Sequence, residues 1–128
     1  MGVQARLPGT LPAPVRARQH FADAHYKWVS CRGQTIVFRE AAKLAGKRLD
    51  QENAARVEAG AALLAGKPDA EAVLLADLLA VEARARDAEE VVKVAHGNLR
   101  SAARAEALAF AERNRCLEDL AAIQRGER

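Results

Sequence analysis

The chain has 128 residues, half of them apolar, and a formal net charge of +3. This length fits one domain, and no apolar run approaches the length of a membrane span. Thirty residues are alanine, which buries little area per side chain, so we expect a thin core. The start of the chain lacks the apolar segment of a signal peptide. We therefore expect a soluble intracellular (cytoplasmic) or virion protein.

Charge and aromatic residues are concentrated in the first half of the chain. Residues 1–56 hold ten Lys/Arg against four Asp/Glu, a net +6, whereas residues 57–128 hold ten against thirteen, a net −3. Four of the five aromatic residues also lie in the basic half. This combination is typical of a surface that binds nucleic acid or an acidic protein, and equally of solvated helix faces around a small aromatic core.

The N-terminal residues predict an extended arm followed by one helical domain. Three prolines and a glycine lie between residues 8 and 14, and proline fixes φ and removes a backbone donor. We therefore expect an arm over residues 1–14 and a single domain over 15–128. Pro14 is well placed to begin a short helix that ends near Ala24.

Residues 26–38 predict a small β-hairpin. Two runs rich in β-branched and aromatic residues, 26–31 and 34–38, are separated by Arg32 and Gly33, which is hairpin spacing. The alternative is a helix that stops at Gly33 and a second helix capped by Thr35. On that alternative, three ring-bearing residues share one helical face, namely Phe21, His25 and Trp28.

Helical patterns then cover about 39–65, with an end or bend at Gly46 and a cap at Asp50. The clearest boundary in the sequence follows, where Gly66 stops the helix and Pro68 breaks the chain. Asp69 is predicted to cap the next helix.

The segment from Asp69 to Arg125 contains no proline and a single glycine, Gly97. Apolar residues keep heptad steps from Leu74 to Leu99, after which the apolar stripe shifts register to Ala103, Ala107, Phe110, Asn114, Leu117 and Ala121. We therefore favour a long antiparallel hairpin of helices 69–96 and 98–125, turning at Gly97. The alternative is one continuous long helix, since a single glycine costs only about 1 kcal/mol. In either case the fold class is mainly α.

The apolar stripe is wider than one compact chain of this size needs, which predicts an interface with other protein chains, either copies of this one or different subunits. The predicted interface residues are Leu74, Leu75, Leu78, Leu79, Val81, Val92, Leu99, Phe110 and Leu117.

A second set of residues predicts nucleic-acid contacts. Arg39 to Gly46 resembles the first helix and turn of a helix-turn-helix, with Ala42 and Gly46 at the usual spacing and residues 50–59 as the recognition helix. The resemblance implies contacts to bases or phosphates from this region. The full candidate set is Arg32, Arg39, Lys43, Lys47, Arg48, Gln51, Asn53 and Arg56.

Catalytic and metal-binding patterns are weak. His20 and His25 lie about 140° apart on a helix and cannot share a metal ion there, and Ser30 and Cys31 lack an oxyanion loop. Cys31 and Cys116 lack metal-ligand spacing, and we expect free thiols. We expect no catalytic residues, metal, cofactor, membrane or small-molecule substrate.

The sequence thus predicts a non-enzymatic structural, assembly or adaptor protein that acts through its helices and arm in a homo-oligomer or larger complex. A viral or mobile-element particle component is one such protein. The alternative is a nucleic-acid-binding protein with a basic, helix-turn-helix-like first half and an oligomerising second half.

Overall fold

The computed structural model describes residues 12–126 as two long α-helices joined by a short turn. Helix α1 spans Ala13–Ala65, a 3-10 helix spans Pro68–Ala70, and α2 spans Glu71–Gln124. The mainly-α prediction is confirmed, and the described residues contain no strand. Most of the arm predicted for residues 1–14 lies outside this range, although Ala13 and Pro14 already belong to α1.

The β-hairpin predicted for residues 26–38 is wrong, because α1 runs through this segment without a break. Trp28, Cys31, Thr35 and Phe38 follow one another at steps of three, four and three residues, which places them on one face of a helix. All four are buried or half-buried. Burial of one helical face thus outweighs the weak strand preference of the β-branched residues.

The fold-back predicted at Gly97 is also wrong, since α2 continues through it and the alternative of one long helix is confirmed. Likewise, α1 passes through Gly33, Gly46 and Asp50, where the sequence predicts ends or caps. A glycine inside a helix costs about 1 kcal/mol. That cost is small beside the packing that a continuous helix retains.

The chain reverses at the boundary that the sequence marks most clearly. Helix α1 ends one residue before Gly66, and Pro68 begins the 3-10 turn. A Cβ at Gly66 would overlap the Cδ1 atom of Leu74, so glycine permits this close approach. The cap predicted at Asp69 is wrong. Lys67 occupies the cap position of the 3-10 turn without a side-chain hydrogen bond, and Asp69 lies inside that turn.

The chain divides into two compact units, each containing a segment of both helices. The second unit spans Gln34–Ala102 and includes the turn, whereas the first comprises the described residues up to Gly33 and from Ala103 onward. Within each unit, later residues of α1 contact earlier residues of α2. Trp28 meets Phe110 in the first unit, and Arg56 meets Glu82 in the second. The helix segments are therefore antiparallel in both units.

Candidate interaction surface

The buried face of α2 follows alternating three- and four-residue steps on both sides of Gly97. Val81, Ala85, Ala88 and Ala95 are buried before this point. The same steps lead on to three more buried residues, Ala102, Ala109 and Cys116. We call the positions in this register, on either helix, the seam.

The register shift predicted beyond Leu99 is therefore wrong: the buried face keeps its register, and each predicted position lies one residue after it. Glu106 and Arg113 occupy seam positions and interrupt the apolar pattern, while the apolar Phe110 and Leu117 lie one residue after the seam. These two side chains are 43% and 41% exposed. A stripe drawn through the largest apolar residues thus follows the wrong face of this part of α2.

Helix α1 has a matching seam. Ala17, Ala24, Thr35, Ala42 and Ala45 are buried on it, and the four intervening positions, three of them aromatic, are half-buried. Positions separated by three and four residues lie along one helical face. Each helix therefore presents a single narrow stripe to its neighbour.

The seam is built largely from alanine. Ten of the twelve buried hydrophobic residues are alanines, and no large side chain in the described range is fully buried. Leu44, Leu64 and Leu108 are instead at least 66% exposed. At about 25 cal/mol per Å² of buried apolar area, alanine contacts stabilise a helix pair much less than leucine contacts do. Much apolar surface thus remains outside the seam.

The residues predicted to form an interface separate into two groups. Leu74, Leu78, Val81, Val92 and Leu99 lie on the seam of α2 and are buried or half-buried. Val92 and Leu99 pack within the second unit against a buried alanine cluster of α1 and α2. A further group lies off the seam and is exposed, comprising Leu75, Leu79, Phe110 and Leu117.

An open groove lies on one side of the seam in the second unit. Its volume is about 660 Å³. Its apolar lining is Phe38, Ala41, Val91, Val94 and Ala95. We call this surface the groove.

Charges of opposite sign lie on the two sides of the groove. Arg48 lines it from α1, whereas Asp87 and Glu90 line it from α2. All three residues are exposed. Among the described residues, Glu90 forms one long ion pair, at 3.9 Å to Lys93, and neither Arg48 nor Asp87 forms any.

The other side of the seam in the second unit carries a network of ion pairs centred on Arg56. Its Nε and Nη2 atoms donate to the two carboxylate oxygens of Glu82 at 3.1 and 3.0 Å. Its Nη1 atom donates to Glu89 and to Asn53, each at 3.1 Å. The hydrogen bonds that Arg56 donates to Glu82 and, to a smaller extent, to Glu89 raise the pKa of Arg56 above its usual value. This guanidinium is thus satisfied within the chain.

The first unit places another arginine, Arg113, among aromatic rings. Its Cζ atom lies 5.4, 5.2 and 5.9 Å from the ring centroids of Phe21, Trp28 and Phe110, within the range of cation–π attraction. Its Nε atom donates to Nδ1 of His25 at 3.1 Å. The helical alternative for residues 26–38 places Phe21, His25 and Trp28 on one face but does not include Arg113. Heptad steps extended past Leu99 would have placed Arg113 on the seam.

The helix-turn-helix is wrong, because α1 continues through Gly46. The residues proposed to bind nucleic acid also do not form one surface. Arg56 is bound to Glu82, while Arg48 lines the groove. Arg39, Lys43 and Lys47 do share one exposed stripe of α1, at four-residue steps. Gln51, which is also exposed, is the next residue at this spacing. Arg32 belongs to the first unit, and Asn53 accepts a hydrogen bond from Arg56.

No group of three or more metal-ligating side chains occurs between residues 12 and 126. Neither Cys31 nor Cys116 forms a disulfide. Within the same range, neither helix has a stretch apolar and long enough to cross a membrane.

Comparisons with protein-family models, with curated proteins and with solved structures found no match to this chain.

Proposed function

We propose that this chain is a non-enzymatic assembly or adaptor protein that works by packing its helices against other protein chains. One observation carries the proposal. The two helices bury mainly alanine against each other, while large aliphatic side chains remain exposed. Apolar surface of this kind marks protein interaction sites.

The groove is the part of this surface best suited to a partner. Val91 and Val94 are 43% and 56% exposed beside the half-buried Phe38. An additional helix laid along the groove would remove these side chains from water, as in a helical bundle. The favoured partner is another helical chain, and a copy of this one satisfies that requirement.

The proposal is tested by thermal unfolding of the full chain over a wide concentration range, together with its mass from light scattering. Association with a partner that binds only the folded state raises the unfolding temperature with concentration. A stable, cooperatively folded monomer at micromolar concentration would overturn the proposal. A monomer that is partly unfolded alone would instead point to a different partner subunit.

The alternative function is nucleic-acid binding through the exposed stripe of Arg39, Lys43 and Lys47. Three cations at four-residue steps can follow a phosphate backbone. Lys43 already contacts Glu40 at 3.3 Å, but both side chains are more than 60% exposed, so this pair is weak. Phosphate binding predicts an affinity that falls steeply with salt. Absence of DNA and RNA binding at about 50 mM salt would exclude this alternative.

A further inference from the structure

The groove has opposite charges on its two sides, and this arrangement specifies its partner. Arg48 supplies the positive side from α1, and Asp87 and Glu90 supply the negative side from α2. A partner of uniform charge would be attracted by one side and repelled by the other. A surface that has both signs in the same arrangement is complementary to a rotated copy of itself.

The charges also lie at matching levels along the helices. In the second unit, Arg56 pairs with Glu82 and Glu52 pairs with Arg84. In both pairs the numbers of the two facing residues add to about 136–138. By this register Arg48 lies level with residues 88–90 of α2, next to Glu90.

We propose that a second copy of this chain docks in the groove, related by a two-fold axis parallel to the helices. This inference rests on the proposed function and adds the partner and the geometry. Such an axis places α1 of each copy over α2 of the other at the same level. Arg48 of each chain then faces Asp87 and Glu90 of its partner, and the charge pairing occurs twice.

The same operation completes the apolar packing. Phe38, Val91 and Val94 of the two copies meet at the centre, and the four helix segments alternate in direction as in an antiparallel four-helix bundle. The opposite side of the seam is a poorer choice, since its main cation, Arg56, is already bonded to Glu82 and Glu89. A dimer formed there would have to disrupt internal ion pairs.

Charge reversal tests this geometry in the full chain. Arg48→Glu gives each copy two negative sides, and Asp87→Arg with Glu90→Arg gives each copy two positive sides. We expect either variant to raise the dimer dissociation constant at least about tenfold, because two attractive pairs become repulsive. Sedimentation velocity at micromolar concentration measures this constant.

The decisive measurement uses a mixture of the two variants. In the mixed dimer, the introduced glutamate of one chain would face the introduced arginines of the other, and the unaltered side of each chain would face its complement. We therefore expect the mixture to dimerise as tightly as the wild type. Lys47→Glu is the matched control, since it makes the same change of charge one residue away and outside the groove lining. Circular dichroism checks that each variant stays helical.

The outcomes separate this inference from the proposed function. If the wild type self-associates but Arg48→Glu behaves as Lys47→Glu does, the groove is not the dimer interface and only this inference fails. If the mixture stays monomeric while both variants are helical, the two-fold pairing fails. If the wild type is itself a stable monomer, the proposed function fails as well. A wild type that is monomeric and partly unfolded overturns the homodimer, but the proposed function then stands with a different protein as the partner.

Discussion

Each unit has an arginine on the seam, and the two units accommodate it in different ways. In the second unit Arg56 donates to both oxygens of Glu82 and to Glu89. In the first unit Arg113 lies among three aromatic rings and donates to an imidazole nitrogen, Nδ1 of His25. Both guanidiniums extend from the narrow seam to partners beside it, as long cationic side chains do.

The two arginine clusters differ in how they are expected to respond to salt. The cluster around Arg56 depends on charge and is exposed to screening by salt. The cluster around Arg113 buries aromatic surface, which contributes through area as well as through the cation. Salt is therefore expected to weaken the contacts of Arg56 more than those of Arg113.

Removal of Trp28 is expected to have the largest effect. Trp28 contacts Phe110, with ring centroids 5.4 Å apart, and lies beneath Arg113. Because the side chain is half-buried, Trp28→Ala should lower the free energy of unfolding by about 2–3 kcal/mol, somewhat less than a fully buried tryptophan. Urea denaturation measures the change.

Tyr26→Ala is the control for this variant. Tyr26 lies on the same helix but is 71% exposed, so its removal should change the stability by less than about 0.5 kcal/mol. Equal losses for the two variants would contradict the packing role of Trp28.

Arg56→Gln is expected to have a smaller effect that depends on salt. The substitution leaves Glu82 and Glu89 without their shared cation, so the unfolding temperature should fall at low ionic strength. In about 1 M salt, where the screening length is about 3 Å, the difference from the wild type should shrink. The difference for Trp28→Ala should persist.

Arg86→Gln removes an exposed arginine of α2 for which the described residues provide no ion pair. The unfolding temperature of this control variant should stay close to that of the wild type at both salt concentrations. If salt does not change the loss of unfolding temperature in Arg56→Gln, the Arg56 cluster is held by packing rather than by charge.

Glycine replacement compares the two units at the level of the backbone. Gly33 in the first unit and Gly97 in the second both lie inside a helix, and a Cβ at either would meet nothing within 4 Å. Gly33→Ala and Gly97→Ala should each stabilise the chain by about 0.5–1 kcal/mol. Thermal unfolding of the two variants and their double variant measures the gains. Destabilisation by Gly97→Ala would favour the turn that the sequence predicts there.

The smallest expected effect is that of pH on the Arg56 cluster. Its pairing raises the pKa of Arg56, so the stabilisation from this guanidinium is fully present below arginine's ordinary pKa. It is lost only as the pH rises through the higher value of the folded state. The difference in unfolding temperature between the wild type and Arg56→Gln should therefore stay constant between about pH 6 and 9. A difference that fades across this range would assign the effect to another group.

The helical class, the helix boundary at Gly66 and Pro68, and half of one seam could be predicted from the amino acids alone, whereas the sequence predicts the reversal at Gly97 and not at this boundary. Alanine, leucine, glutamate and arginine favour helix wherever they lie. Gly66 and Pro68 end and restart a helix for reasons local to the backbone. The heptad from Leu74 to Leu99 is recognisable because its apolar residues recur without interruption.

The remaining features depend on contacts between the two helices. Residues 26–38 form a helix because their aromatic and small residues pack as one face against another helix, which local strand preference does not reveal. Gly97 stays helical because its cost of about 1 kcal/mol is small beside that packing. The seam beyond Leu99 is hidden in the sequence because Glu106 and Arg113 occupy its positions. Heptad steps continued past Leu99 reach these positions, but only the rings around Arg113 show why a charged side chain can occupy one of them.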